Sequence, residues 1–386
     1  MTTKTAVMYG AGNIGRGFIG QLLFESGYHT VFVDVNEEAV AAINERRSYP
    51  LCIVAGDSRT DIEIKNVEAV NGHDPDTVAA AISGADLMAT AVGAKALPLV
   101  AAPIAAGLAR RFERGAAALD ILICENLKDA ERVLRGLILH QLPAHAHKWF
   151  FERVGLVETS IGRMVPIQTP EMQCGDPMRI CVEAYASLPV DSSAFKAGIP
   201  ELARIEPFSP FSFYVERKLY IHNMGHALTA YCGDYLGCTY IWQSIETPGV
   251  RDVVRAAMVS AADALAQKYG MGRQPLHNHV DDLISRFGNR QLGDTVYRVG
   301  RDLVRKLARE DRMVGALRLC ENESTDTRGI LLGIALALRF SSSDLSMPPE
   351  DALTGICGIG ECEPSHAEIL RLHKLALDET LQFIPN

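Results

Sequence analysis

The fold is decided by the stretch Thr5-Ala-Val-Met-Tyr-Gly10-Ala-Gly-Asn-Ile-Gly15-Arg-Gly-Phe-Ile-Gly20. Thr5 to Tyr9 predicts a short buried strand, and the glycines that follow have the spacing of a dinucleotide-binding fingerprint. Gly10 permits a tight turn, Gly12 lets a pyrophosphate approach the backbone, and Gly15 lets the next helix pack on the strand. The loop is therefore predicted to bind a dinucleotide at the amino end of that helix, through Gly10, Ala11, Gly12, Asn13, Ile14 and Gly15.

The acidic residue Asp34 indicates which dinucleotide binds. A second predicted strand, Thr30 to Val33, ends at Asp34, 19 residues after Gly15. An acid at this point hydrogen-bonds the adenosine ribose and repels a 2′-phosphate, so the sequence favours NAD over NADP as the cofactor. The alternative is that Asp34 only forms a turn at the end of a strand.

Further strands alternate with helices through about residue 125, which is the pattern of a doubly wound sheet. Asp86 to Val92 and Leu119 to Cys124 predict two more buried strands. Ligands of such sheets bind at the carboxyl ends of the strands. We therefore expect the cofactor to contact Thr90, Ala91, Val92, Gly93, Glu125 and Asn126. For Asn126 the alternative is a helix cap.

The carboxyl-terminal half has a different pattern. The chain has 386 residues, which is longer than a chain that folds around a single hydrophobic core usually is, so two domains are expected. After an irregular stretch between about 150 and 195, the pattern becomes almost wholly helical from about 210. We predict an α/β fold with a Rossmann-type, doubly wound NAD-binding domain over 1–195. A mostly α-helical substrate domain is expected over 196–386.

Composition limits the possible partners. The net charge is −9 without a basic block, which argues against nucleic acid. Met1 runs almost directly into the first strand, and no apolar run is long enough to span a bilayer, so we expect a cytoplasmic protein without a membrane partner. The cysteines form no CxxC pair or Cys/His cluster, so no metal is expected. Whether the chain is a monomer or a homo-oligomer is not readable from the sequence.

The candidate chemistry lies in Glu216-Arg-Lys-Leu-Tyr-Ile-His-Asn-Met-Gly-His226. On a regular helix, Lys218, Asn223 and His226 fall within about 140° of arc. A desolvated lysine accepts the hydroxyl proton of an alcohol that loses hydride. A neighbouring amide and imidazole can hydrogen-bond the oxygen as it gains charge. The pattern favours alcohol oxidation, but a solvated amphipathic helix is an equal alternative, and His222 lies on the same face as His226.

These motifs resemble those of a known family. The spacing Lys218-x4-Asn223-x2-His226 is the signature of the polyol-specific long-chain dehydrogenases, and the glycine loop is similar to that of their mannitol-1-phosphate 5-dehydrogenase branch. The resemblance covers nearly the whole chain. It includes Thr-Ala-Val-Gly at 90–93, Cys-Glu-Asn at 124–126, Arg-Phe-Gly-Asn at 286–289 and the segment from Arg298 to Lys306.

The resemblance implies a metal-independent, NAD-dependent reaction between a hexitol phosphate and a ketose phosphate, above all mannitol 1-phosphate and fructose 6-phosphate. It makes Lys218 the general base and His226 the residue that positions the substrate hydroxyl. Asn126 and Asn223 match the asparagines that hold the reacting oxygen. Arg298 and Lys306 match substrate contacts.

The substrate phosphate is expected to meet arginines. Arg298, Arg301 and Arg305 have the spacing of one helix face, and forked arginine contacts suit a phosphate. A solvated, salt-bridged face is the alternative for Arg301 and Arg305. We also expect Arg163 to contact the substrate.

One position departs from the family pattern, because Gly162 stands where an acidic residue usually grips sugar hydroxyls. A related sugar-alcohol phosphate is therefore a possible substrate. Two rival functions remain. One is a free-polyol or uronate dehydrogenase of the same superfamily, and the other is a nicotinamide-binding regulator without turnover.

Overall fold

A computed structural model of the chain describes residues 3–55, 58–166, 168–341, 344–381 and 383. The chain divides into two compact units, Met1–Ser212 and Phe213–Asn386. The segment after 195 stays with the first unit because Ile205–Phe208 pairs in parallel with Leu188–Asp191.

The first unit is built around a parallel sheet. Its order is β5-β2-β1-β6-β7-β8, the usual order of a Rossmann domain. This confirms the predicted doubly wound fold. The order reverses between β1 and β6, so the loops after these two strands lie at the switch point where such sheets bind ligands. The strands are β1 Thr5–Tyr9, β2 His29–Asp34, β3 Ser48–Ala55, β4 Ser58–Lys65, β5 Val67–Asn71, β6 Leu87–Thr90, β7 Leu119–Ile123, β8 Val154–Glu158, β9 Ile180–Glu183, β10 Leu188–Asp191 and β11 Ile205–Phe208.

Helices cover both faces of this sheet. Alternate residues of β1 enter two separate cores, with Met8 packed in one and Val7 in the other. Both faces of the strand are apolar for this reason. The helices are α1 Gly20–Glu25, α2 Glu37–Arg46, α3 Pro75–Gly84, α4 Leu97–Glu113, α5 Ala130–Gln141, α6 His147–Arg153 and α7 Pro170–Gln173, with a π-helical segment at Gly15–Ile19 and a 3-10 turn at Ala144–Ala146.

A separate small sheet lies beside the parallel one. Strand β3 pairs antiparallel with β4 and parallel with β9. The sequence did not predict β4, because most of its residues are exposed and polar and so give no apolar run.

From Ser212 onward the described chain is helical, which confirms the predicted mostly α-helical second domain. Among the described residues, every helix is too short or too polar to cross a membrane. The helices are α8 Ser212–Glu216, α9 Met224–Tyr235, α10 Ile241–Glu246, α11 Val250–Tyr269, α12 Arg273–Phe287, α13 Val296–Gly300, α14 Leu303–Lys306, α15 Arg312–Asn322, α16 Arg328–Leu338, α17 Pro349–Gly355 and α18 Pro364–Leu377, with a π-helical segment at Arg217–Asn223 and a 3-10 turn at Arg290–Leu292.

Helix α9 lies at the centre of the second unit, and two glycines let its neighbours approach. A Cβ at Gly225 would stand 2.3 Å from Sδ of Met258 on α11. A Cβ at Gly233 would stand 2.9 Å from Cγ2 of Val296 on α13. Close packing at Gly233 brings α13 and the residues just before it next to α9.

Candidate active site

The glycine loop after β1 has a separate steric reason for each glycine. Gly10 has a φ of 103°, and a Cβ there would stand 2.5 Å from the carbonyl oxygen of Ala91. A Cβ at Gly15 would stand 1.8 Å from the carbonyl oxygen of Gly10. A Cβ at Gly12 would meet no described atom within 4 Å, so the space over Gly12 is open. An open backbone at this point fits the close approach of a pyrophosphate.

The side chains of Arg16 and Tyr49 form hydrogen bonds with the backbone of this loop and of the helix that follows it. The Arg16 Nε donates to the carbonyl oxygen of Ala11 at 2.6 Å, and the Tyr49 hydroxyl donates to the carbonyl oxygen of Arg16 at 2.8 Å. Helical backbone begins at Asn13, so the amino end of the helix adjoins the loop. The dipole and amide groups of such an end favour a bound phosphate.

Asp34 is tied to the glycine loop. Its Oδ2 accepts a hydrogen bond from the backbone N–H of Ala11 at 2.6 Å, and its Oδ1 accepts one from Asn36 at 2.9 Å. Each carboxylate oxygen has a second lone pair with which it can accept a hydrogen bond from a ribose hydroxyl. The donor set of the loop and Asp34 therefore fits an adenosine dinucleotide, in agreement with NAD as the cofactor.

Glu125 shapes the neighbouring loop after β6. Its two carboxylate oxygens accept hydrogen bonds from the backbone N–H groups of Val92 and Gly93, at 2.9 and 2.7 Å. Glu125 is buried, so its side chain holds the backbone of this loop at the switch point. The expected contacts of Glu125, Val92 and Gly93 with the cofactor stay predictions.

Thr90 is the last residue of β6, and Asn126 lies shortly after the end of β7. The Thr90 hydroxyl is fully buried and has no hydrogen-bond partner among the described residues. Helix α5 begins at Ala130, and the residue in its cap position is Asp129 rather than Asn126. The expected contacts of Thr90, Ala91 and Asn126 with the cofactor also stay predictions.

The helix that carries Lys218 is not a regular α-helix. The backbone N–H of Met224 donates to the carbonyl oxygen of Leu219, five residues back, and the segment Arg217–Asn223 is π-helical. A π turn contains more residues than an α turn, so the angles between Lys218, Asn223 and His226 differ from those of a regular helix, and their shared face stays a prediction. Such segments occur frequently at functional sites.

His226 lies in a largely buried, cation-rich environment. Its Nε2 is 3.5 Å from Oδ2 of Asp294, and its ring stacks on that of Phe287 with centroids 4.8 Å apart and planes at 12°. Burial lowers the pKa of His226 to about 3, with further lowering by Arg298, Arg312, Lys306 and Arg286. The imidazole is therefore neutral near pH 7.

His222 is the other imidazole on this helix. Its ring centroid is 6.3 Å from that of His226. Burial, followed by Arg286, His226, His279 and Lys218, lowers the pKa of His222 well below its ordinary value. Both rings are thus neutral, and it is His226 that has a carboxylate beside it.

Arg298 and Lys306 lie beside His226 but have different partners. The Arg298 guanidinium forms an ion pair with Asp294. Lys306 is buried, and its ammonium donates to the carbonyl oxygen of Arg301. Burial, followed by Arg312 and Arg305, lowers the pKa of Lys306 to about 8. The acceptor of Lys306 carries no charge, so a substrate anion can still be attracted to it.

The arginines expected on one helix face do not share a helix. Helix α13 ends at Gly300 and α14 starts at Leu303, and Asp302 between them has a left-handed φ of 70°. Arg305 pairs with Asp302 at 2.5 Å, and the Arg301 guanidinium lies over the Tyr297 ring at 6.0 Å. The shared face is therefore wrong, and for Arg305 the salt-bridged alternative is confirmed.

Comparison with known proteins decides the family. Residues 4–204 match the mannitol dehydrogenase Rossmann domain, and residues 211–349 match the mannitol dehydrogenase C-terminal domain. The chain belongs to the mannitol dehydrogenase family.

Two solved structures resemble the mannitol dehydrogenase fold of this chain. A D-sorbitol dehydrogenase in substrate-free form has a TM-score of 0.84 at 16% identity, covering 98% of this chain and 94% of its own. Mannitol 2-dehydrogenase from Pseudomonas fluorescens, in a ternary complex with NAD and D-mannitol, has a TM-score of 0.75 at 16% identity, covering 98% and 93%. At this identity the likeness supports the fold.

Arg163 lies inside the Rossmann domain of this family member. Its Nε donates to the carbonyl oxygen of Glu183 at 2.9 Å, and its Nη1 donates to Gly17 and Gln21 at 2.9 and 2.7 Å. The side chain is buried, and its guanidinium lies 5.3 Å from the Phe18 ring centroid. Arg163 therefore joins the end of β9 to the first helix. Its guanidinium is engaged in the Rossmann domain, and it is not among the proposed substrate contacts.

At Gly162, which departs from the family pattern, the Tyr185 ring lies next to the place that a side chain would occupy. A Cβ at Gly162 would stand 3.0 Å from Cε1 of Tyr185. An acidic side chain at this position would require the Tyr185 ring to move by a few tenths of an ångström.

Several site residues were missed from the sequence. The sequence motifs do not include Asp294, although it precedes Arg298 by four residues, a spacing at which opposite charges pair on a helix. Arg286 and Arg312 were not connected to His226, because they reach it from α12 and the start of α15. Among the described residues, no group of three or more His, Cys, Asp or Glu side chains is arranged to hold a metal.

Proposed function

We propose that the chain is an NAD-dependent oxidoreductase that interconverts a hexitol phosphate and a ketose phosphate. D-mannitol 1-phosphate and D-fructose 6-phosphate are the leading pair. Membership of the mannitol dehydrogenase family supports the reaction class. The single observation that supports a phosphorylated substrate is the group of cations that lower the pKa of His226, namely Arg286, Arg298, Lys306 and Arg312.

The proposed proton transfer uses Lys218. During oxidation, its amine accepts the proton of the reacting hydroxyl as hydride leaves the same carbon. During reduction, its ammonium returns the proton. The amides of Asn126 and Asn223 donate hydrogen bonds to the oxygen as its negative charge grows. NAD, when bound, supplies the hydride acceptor.

The first unit supports NAD in this proposal. The open backbone at Gly12 suits the pyrophosphate, and the carboxylate of Asp34 suits the ribose hydroxyls. The P. fluorescens mannitol 2-dehydrogenase, a structural neighbour, was crystallised with NAD.

The second unit supports a charged substrate. The side chains of Arg286 and Arg312 are only 10% and 11% exposed, and both stand close enough to His226 to lower its pKa. Lys306 is buried, and the acceptor of its ammonium among the described residues is the carbonyl oxygen of Arg301. Arg286 and Arg312 also pair with Asp282 and Asp311, at 3.4 and 2.8 Å. A phosphate dianion would offset the cost of burying Lys306, whereas a neutral polyol would not.

Two alternatives compete with this proposal, namely a free-polyol or uronate dehydrogenase of the same superfamily and a nicotinamide-binding regulator. The structural neighbours are a sorbitol dehydrogenase and a mannitol 2-dehydrogenase, so a free-polyol dehydrogenase is a serious alternative. A uronate dehydrogenase of the same superfamily would also use the cations. A nicotinamide-binding regulator is the weakest alternative, because it has no use for a base such as Lys218.

The deciding experiment compares rates of NADH oxidation with fructose 6-phosphate and with fructose, at equal concentrations and monitored by NADH absorbance. The proposal expects fructose 6-phosphate to have a kcat/KM at least about tenfold higher, since one charge-assisted contact contributes about 1.5 to 3 kcal/mol. Equal rates would favour the free-polyol dehydrogenase. Activity on keto-uronates alone would favour the uronate enzyme, and no turnover on any of these would favour the regulator.

A further inference from the structure

We propose that Asp294 is a positioning residue that fixes His226 as the neutral tautomer protonated on Nε2, so that Nδ1 accepts a hydrogen bond from a substrate hydroxyl. The statement about the substrate rests on the proposed function. The statement about the tautomer concerns the ligand-free protein.

One buried carboxylate links two residues of the candidate site. Asp294 is 7% exposed. Its Oδ2 is 3.5 Å from Nε2 of His226, and its Oδ1 forms the ion pair with Arg298. The Asp294 backbone is anchored as well, because its carbonyl oxygen accepts from the backbone N–H of Ile241 at 2.9 Å. The carboxylate can therefore orient both side chains from a fixed position.

The chemistry of a carboxylate sets the tautomer. An ionised carboxylate accepts hydrogen bonds and donates none, so the nitrogen that faces it carries the hydrogen. A neutral imidazole has one N–H, and its other nitrogen is an acceptor. Since His226 is neutral near pH 7, an Nε2–H directed at Asp294 leaves Nδ1 with a lone pair.

The surroundings keep the imidazole neutral even though an anion lies beside it. A lone carboxylate would raise the pKa of an imidazole. Here, Asp294 is also paired with Arg298, and burial acts in the opposite direction. The other groups that face the ring are His222, on the same helix, and three cations from other elements, Arg286, Lys306 and Arg312.

The ring plane is fixed independently. Phe287 stacks on the face of the imidazole, with 12° between the planes. Stacking sets the plane of the ring, and Asp294 sets which edge faces away from the substrate. The two contacts together preorganise a single acceptor nitrogen.

This assignment changes the role expected of His226. The sequence pattern suggested a donor that stabilises the growing negative charge on oxygen, and an unprotonated Nδ1 has no hydrogen to donate. His226 would instead orient a substrate hydroxyl by accepting its hydrogen. The donors to the reacting oxygen are then the amides of Asn126 and Asn223 and the ammonium of Lys218.

The direct test is 15N NMR of histidine-labelled, ligand-free protein near pH 7. The chain has eleven histidines, so the His226 signals are assigned by their loss in His226→Gln. The proposal expects Nε2 to have the shift of a protonated nitrogen and Nδ1 that of an unprotonated nitrogen. A ring protonated on Nδ1 would overturn the assignment, and this reading needs neither a variant of Asp294 nor turnover.

The variant Asp294→Asn tests whether the carboxylate is the cause. An amide presents an N–H2 as well as an oxygen, so the His226 ring should shift wholly or partly to the Nδ1-protonated tautomer. We expect kcat with the ketose phosphate to fall at least about tenfold, by more than KM rises. An unchanged tautomer together with unchanged kcat would contradict the role of Asp294.

A matched control is Asp282→Asn. Asp282 contacts Arg286 at 3.4 Å and is 51% exposed, so this change removes a negative charge near the same cations without touching His226. The His226 tautomer and kcat should stay as in the unmodified protein. If the unmodified protein has the expected tautomer but turns over none of the substrates, the proposed function fails while the placement of the proton holds.

Discussion

The carboxylate of Asp34 accepts a 2.6 Å hydrogen bond from the backbone N–H of Ala11. The residue proposed to bind the ribose is therefore held by the loop proposed to bind the pyrophosphate. In this proposal, the hydrogen bond keeps the charge of the carboxylate near the 2′ position of the ribose.

Asp34→Ser should change the cofactor preference. The change removes the charge that repels a 2′-phosphate and the charge-assisted hydrogen bonds to the ribose, which contribute about 1.5 to 3 kcal/mol. We expect the ratio of kcat/KM for NADH over NADPH to fall by about ten- to a hundredfold. Steady-state rates with both cofactors measure this ratio. Asn36→Ala alters the same turn but not the carboxylate and should leave the ratio unchanged, as should Asp34→Ser if another residue selects NAD.

Gly12→Ala and Gly15→Ala should have different effects. The space over Gly12 is open, so a methyl group there should leave the melting temperature unchanged and weaken NADH binding at least about tenfold, because it meets the pyrophosphate. A methyl group on Gly15 overlaps the carbonyl oxygen of Gly10 and should lower the free energy of unfolding by about 1 to 3 kcal/mol. Thermal unfolding and NADH fluorescence titration separate the two effects. Normal NADH affinity in Gly12→Ala would contradict the placement of the pyrophosphate.

Lys218→Ala should lower turnover about 10²- to 10⁴-fold, because it removes the group that moves the hydroxyl proton. NADH affinity should be nearly unchanged, since the glycine loop and Asp34 are intact. Lys268→Ala is the matched control, as Lys268 pairs with Glu216 at 2.6 Å on a partly exposed surface. Its turnover should stay near that of the unmodified protein. Comparable rates in the two variants would exclude Lys218 as the base.

Lys306 should make substrate binding depend on pH. Its pKa is lowered to about 8 by burial, Arg312 and Arg305, against the opposing effect of Asp302 and Asp311. The charged form therefore prevails below pH 8 and is lost as the pH rises, while the substrate phosphate remains a dianion. We expect kcat/KM for fructose 6-phosphate to fall above about pH 8.

Lys306→Arg supplies the control for this pH dependence, because a guanidinium keeps its charge throughout the range. The fall in kcat/KM should move to higher pH in this variant. An identical profile in both proteins would assign the titration to another group, such as Lys218.

The Rossmann half of the protein could be predicted because its signals are local. Strand β1 is an apolar run, Gly10 and Gly15 are required by the backbone itself, and Asp34 follows the next strand. These residues meet because parallel strands end at the same edge of a sheet. The sequence pattern contains that geometry without any tertiary information.

The arrangement around His226 could not be predicted in the same way. A break in the helix at Asp302 separates Arg301 from Arg305, and their spacing of four gives no sign of it. Arg286 and Arg312 reach His226 from distant parts of the chain, and only tertiary packing brings them together. Arg163 shows the opposite case. The sequence suggests it as a substrate contact, but in the structure it is buried and donates to the carbonyl oxygens of Gly17 and Glu183.

The π-helical segment Arg217–Asn223 makes chain length part of the geometry proposed for the reaction. Such a segment holds one residue more than the α-helical turns around it need. Deleting a single residue between Lys218 and Asn223 would let the helix become regular at little cost in hydrogen bonds. The helix beyond Asn223 would keep its direction, because the widened turn already absorbs the extra residue, but Lys218 lies inside the widened segment and would change its position relative to His226. The spacing of Lys218 and His226 thus depends on one extra residue in the helix. The fold would tolerate the loss of that residue better than the proposed reaction would.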